Sequence, residues 1–228
     1  FDWGNNIVFT PANATDKRCI LELSDPTVVT VDESGFLDGY SNYAVDGFKF
    51  CTIKATSVDG GKTTECLVVN NADFGIFKFN FGGGDFVAAF NESCYLVKPN
   101  GDIVALTTEV AEACPAGVCH LIYERANTFL DVSEMPIIGE LKTLHEGDFY
   151  CNGCYFLTTL SAPMASALDC GGCALTATSI ASILADAVLL PDLSYVSIDL
   201  TGGTNAPIGT WSAQAVADKN TIVGAGGT

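Results

Sequence analysis

The sequence predicts an α+β fold that is predominantly antiparallel β, with a sandwich-like N-terminal half, a few short helices and disulfide staples. Three observations predict it. Period-2 alternation recurs between turn dipeptides, one long segment carries a helical period and ends at a proline, and ten cysteines are spread along 228 residues.

Residues 1–106 read as strands and hairpins. Asp38-Gly39, Asp46-Gly47, Asp59-Gly60 and Asn100-Gly101 supply the residues that tolerate the positive φ of a tight turn. Residues 27–31 are β-branched throughout, and Phe77, Phe79 and Phe81 fall on one face of an alternating run. Gly82-Gly83-Gly84 breaks that run, and residues 86–90 resume it.

Residues 107–228 read as a mixed α/β, cysteine-rich region. Short helices are expected over 107–113 and 118–130, where Val118, Leu121, Ile122 and Phe129 recur at near-helical spacing. Residues 149–160 read as strand, with Asn152-Gly153 at a hairpin tip. The best helix spans 175–190: Ile180, Ile183, Leu184 and Ala187 line one face and Pro191 ends it. Residues 193–200 alternate as a strand does, and 211–218 form a short helix. The division near residue 106 competes with one continuous domain, and no internal repeat is evident.

Charge narrows the function. Ten Lys plus Arg against 27 Asp plus Glu leave a formal charge of −17. A basic face able to neutralise phosphates is therefore excluded, and with it nucleic-acid binding. Docking on anionic membranes is disfavoured. No run reaches the roughly 18 to 20 apolar residues of a membrane span. Ten cysteines point to an oxidising, extracellular setting, and the start at Phe1 fits a processed N-terminus. Asn13 and Asn91 head glycosylation sequons.

Two cysteine patterns carry candidate chemistry. Cys151-x-x-Cys154 and Cys170-x-x-Cys173 have the spacing of a four-thiolate zinc site; in an oxidising compartment the same residues form two neighbouring disulfides, which is the preferred expectation. Cys114-Pro-Ala-Gly-Val-Cys119-His120 resembles a lengthened c-type haem attachment motif. That resemblance implies thioethers from Cys114 and Cys119, an axial His120, and His145, the other of the two histidines, as second ligand. Met135 and Met164 are the alternative axial ligands. Val118, Leu121, Ile122, Tyr123 and Phe149 would line such a pocket. The acidic turn over residues 32–39 is a weaker calcium candidate, since it lacks EF-hand spacing.

Gly-x-Ser-x-Gly, P-loop and His-Glu-x-x-His signatures are absent. The expectation is therefore a secreted structural protein, a subunit of a filament, pilus-like fibre or surface layer that self-associates and requires no cofactor. Residues 1–9, with Trp3, Ile7 and Phe9 apolar, are the candidate donated strand. The alternative is an electron carrier with one covalent haem.

Overall fold

The computed structural model describes residues 18–26, 28–31, 37–39, 50–58, 61–69 and 73–228. The chain divides into two compact units, Phe1–Phe74 and Gly75–Thr228.

The described part of the first unit is antiparallel. Strand β1 (Cys19–Leu23) pairs with β4 (Phe50–Ser57), which pairs with β5 (Thr63–Val69). Strands β2 (Val29–Val31) and β3 (Leu37–Gly39) form a separate pair. Alternation along β4 sends Cys51 and Ile53 inward, where they meet Val28 and Val29 in a small core. Asp38-Gly39 lies within β3 rather than at a turn, because Asp38 pairs opposite Thr30. The turn at Asp46-Gly47, the sequon at Asn13 and the segment 1–9 lie outside the described residues.

The second unit closes one core between two sheets. Its strands are β6 (Phe74–Phe81), β7 (Gly84–Phe86), β8 (Ala89–Phe90), β9 (Cys94–Val97), β10 (Ile103–Ala105), β11 (Glu112–Cys114), β12 (Gly117–Glu124), β13 (Phe129–Asp131), β14 (Ile137–Lys142), β15 (Asp148–Tyr150), β16 (Leu157–Ser161), β17 (Ala167–Asp169) and β18 (Ser197–Asp199). A six-stranded sheet has the order β10-β9-β12-β6-β14-β16, and a five-stranded sheet the order β18-β17-β15-β13-β8. Phe77, Phe79 and Phe81 all point inward from β6, as period 2 requires. Phe77 meets Phe149 of the opposite sheet edge-on, with ring centroids 6.1 Å apart.

Strands on either side of residue 106 share the six-stranded sheet, since β9 pairs with both β10 and β12. Lys98–Asp102 closes the β9–β10 hairpin, with Gly101 at φ 90°. The helices expected over 107–113 and 118–130 do not form. Residues 112–114 and 117–124 are β11 and β12 instead. Cys119, Leu121 and Tyr123 are buried on one face of β12, and Ile122 is buried on the other. A strand buried on both faces carries apolar residues at neighbouring positions, and these imitate a helical spacing.

Helix α1 (Ala177–Ala187) buries Ile180, Ile183, Leu184 and Ala187, the face expected of it. Thr176 caps it by accepting the Ser179 N–H. Its Ser179 hydroxyl accepts from the Leu160 N–H at 2.8 Å and reaches the Leu160 carbonyl at 3.4 Å, which fastens the helix to edge strand β16. Helix α2 (Ala213–Gly224) starts at Ser212, whose hydroxyl accepts the Ala215 N–H, and it packs on α1. Residues 193–195 form a 3-10 turn ahead of β18.

Candidate functional site

Asn152-Gly153 does not close a hairpin. Strand β15 before it and β16 after it belong to different sheets. The chain turns a corner there, and the corner repeats. Phe129 lies opposite Asp148 and Phe149 opposite Leu168, each a step of 19 residues, in parallel register. Ala167 then lies opposite Ser197, a step of 30 residues because α1 intervenes. Four parallel rungs result, each with two apolar residues two apart: Leu130 and Val132, Phe149 and Cys151, Leu168 and Cys170, Ile198 and Leu200. This is a short solenoid, in which each turn contacts chiefly its neighbours.

The corners share one geometry. Glu134, Gly153, Gly172 and Gly202 occupy the same place in successive rungs, with φ of 62°, 68°, 70° and 73°. Their backbones stack directly. Glu134 N–H donates to Asn152 O at 2.7 Å, Gly153 N–H to Gly171 O at 2.8 Å, and Gly172 N–H to Thr201 O at 2.7 Å. Glycine suits the second and third corners for two reasons. The left-handed conformation disfavours a side chain, and a Cβ at Gly172 would come 3.2 Å from Gly153 N. Asp131, Asp169 and Asp199 each accept the N–H two residues on, at 2.8, 3.0 and 2.7 Å, and so set the turn.

Cys151, Cys154, Cys170 and Cys173 are all fully buried inside this stack. The thiols at the second position of each pair make the same contact one rung apart. Cys154 Sγ donates to Val132 O at 3.3 Å, and Cys173 Sγ donates to Cys151 O at 3.1 Å. Burial pushes the Cys154 thiol up to about 12. Hydrogen bonding to Cys170 and Cys173, with burial, holds Cys151 well above the usual thiol range, while its contact with Cys151 lowers Cys173. The four residues are thus brought together as expected. All ten cysteines carry free thiols, and among the described residues no group of three or more His, Cys, Asp or Glu is disposed to hold a metal ion.

The haem-motif residues are brought together only in part. Cys114 and Cys119 face each other across the β11–β12 turn, with sulfurs 3.6 Å apart and both residues buried. His120 follows Cys119 on a strand and so points to the opposite face. Burial, and then Lys78, lower its pKa to about 4. His145 lies on the core side of β12, edge-on to Tyr123 at 5.4 Å. Strand β12 therefore stands between the two imidazoles, and the pair does not fit one haem. Leu121, Ile122, Tyr123 and Phe149 are core, and Val118 is exposed. Met135 is buried with its sulfur accepting the Val87 N–H at 3.3 Å, and Met164 is exposed.

Two further features escaped the sequence reading. His145 is buried with neither ring nitrogen hydrogen-bonded, beside the equally unpartnered Tyr123 hydroxyl. A groove of about 370 Å³ crosses the outer face of the six-stranded sheet, lined by Lys78, Asn80, Val118, Ile138, Glu140 and Lys142, where β14 bulges against β6. No protein-family model, curated protein or solved structure matches the chain.

Proposed function

We propose that the chain is an extracellular structural protein, a self-associating subunit of a filament, pilus-like fibre or surface layer. The observation that carries this reading is the solenoid itself. Its interior is given to rung-on-rung packing, and stacked rungs are a geometry that can be continued from one subunit to the next. The acidic, lysine-poor composition and the clustered thiols support an exposed setting. There the Cys114–Cys119 pair and the four corner cysteines become disulfides, each formed as two thiols lose two electrons and two protons to a disulfide oxidant.

The test is the mass and assembly state of protein isolated without reductant. The reading expects particles that grow with concentration, and a chain lighter by two hydrogens per disulfide. A monomer at every concentration, with all ten thiols open to alkylation after denaturation, sinks it.

A further inference from the structure

We propose that the side-chain nitrogen of Asn91 is the attachment site of an N-linked glycan. The site goes beyond self-assembly and shares with that reading only the extracellular setting.

The turn after β8 presents the whole sequon to solvent. Asn91, Glu92 and Ser93 are all exposed, and β9 begins at the next residue, the buried Cys94. Two asparagines hold this turn. Asn127 is buried, and its Oδ1 accepts the Asn91 N–H at 3.1 Å and the Glu92 N–H at 2.7 Å. In return Asn91 Oδ1 accepts the Thr128 N–H at 2.9 Å and lies 3.3 Å from the Thr128 hydroxyl. A backbone N–H can only donate, so it is the amide oxygen of Asn91 that meets Thr128. Asn91 Nδ2 has no hydrogen-bond partner among the described residues.

Asn100, Asn127, Asn152 and Asn205 differ. Each donates from its Nδ2, to Asp102 Oδ2, Glu124 O, Asp169 Oδ2 and Cys170 O respectively. A sugar on any of those nitrogens would crowd a hydrogen bond of the fold. A glycosylated asparagine keeps its carbonyl, and the carbonyl is all that the fold asks of the Asn91 side chain. Ser93 fits the same role. Its carbonyl accepts the Glu124 N–H at 2.9 Å, but its exposed hydroxyl has no partner among the described residues. The hydroxyl that the sequon requires thus has no structural duty.

The donor is an oligosaccharide carried on an isoprenoid pyrophosphate. Asn91 Nδ2 bonds to the anomeric carbon of the first sugar. The bond from that carbon to the pyrophosphate oxygen breaks, the lipid pyrophosphate leaves with the electron pair, and Nδ2 gives up one proton.

The test is the mass of the peptide holding Asn91, from full-length protein isolated from its native cells without reductant. That mass should exceed the sequence mass by a set of whole sugar residues. The increment should vanish in Ser93→Ala and in Asn91→Asp and persist in Ser93→Thr, which preserves the sequon. Both silent variants keep an oxygen facing Thr128, so their urea midpoints should match that of the unglycosylated parent. Asn91 at its bare mass overturns the site, as does an increment that survives Ser93→Ala. The cysteines of the same sample separate the two readings. Bare Asn91 with oxidised cysteines overturns the glycan alone, whereas bare Asn91 with ten free thiols overturns the extracellular setting as well.

Discussion

Residues 75–124 and residues 129–206 bury a common core by different means. The first stretch is antiparallel and relies on side-chain bulk. Phe77, Phe79, Phe81 and Phe86 touch one another or Tyr123 at ring separations of 5.5 to 6.4 Å. The second is a parallel ladder that relies on backbone proximity. Its corners stack peptide on peptide, with hydrogen bonds of 2.7 to 2.8 Å between glycine-rich turns. The two stretches therefore have opposite weaknesses. The antiparallel strands suffer from lost side-chain volume, whereas the ladder suffers from any added atom at its corners.

A pair of glycine substitutions tests that contrast at its sharpest. Gly101 and Gly203 both have positive φ, at 90° and 61°. A Cβ at Gly101 meets nothing, while one at Gly203 would lie 2.4 Å from Gly172 C and 2.5 Å from Cys173 O. Gly101→Ala should cost about 1 kcal/mol from backbone strain alone. Gly203→Ala should cost about 3 kcal/mol or more, because backbone atoms must move. Urea midpoints measure both, and equal losses would break the distinction.

Ser179→Ala sharpens it next. The substitution leaves the buried Leu160 N–H without its acceptor at the ladder's edge, and should cost about 2 kcal/mol. If the melt does not move, α1 does not hold β16 through this hydroxyl.

The smallest effect belongs to pH. Burial lowers the His145 pKa, opposed only by Asp148 and Glu146; Tyr123 packs on the ring. The unfolded chain, titrating near 6.5, then binds the proton more readily than the folded one. Stability from this group is full above about 6.5 and is lost as pH falls through the lower folded value. Carboxylates titrate over the same range, so the measurement is a difference. Between pH 7 and pH 5, His145→Phe should lose less melting temperature than the parent. Parallel pH profiles would refute the assignment.

The antiparallel stretch was legible in β6 and the β9–β10 hairpin, where each strand states its own pattern, but not in β11 and β12, which read as helices because β12 is buried on both faces. Phe77, Phe79 and Phe81 alternate within eight residues, and Asn100-Gly101 marks the hairpin turn. Helix α1 was legible for the same reason, its buried face and Pro191 being local. The ladder was not legible, because its pattern exists only between rungs. Cysteine stands at Cys151 and Cys154 where the first rung has Val132 and Met135, and after the corner the chain becomes a strand in two rungs and a helix in two. The signal was present in another guise. The separation of the two C-x-x-C pairs, which has the form of zinc-ligand spacing, is the 19-residue period by which Phe149 faces Leu168. The haem-like motif likewise reads differently once placed on a strand, where neighbours face apart and Cys119 and His120 lie on opposite faces of β12.

The stacking of Gly153 on Gly171 and of Gly172 on Thr201 bears on how the molecule comes undone. Each rung depends on the one before and after it, so opening proceeds most cheaply from the last rung inward. Amide exchange should follow that order. Slow exchange is expected at Val132, intermediate exchange at Cys151 and the fastest at Cys170, whose N–H groups each donate to the next rung, as a gradient along the axis rather than a single cooperative step.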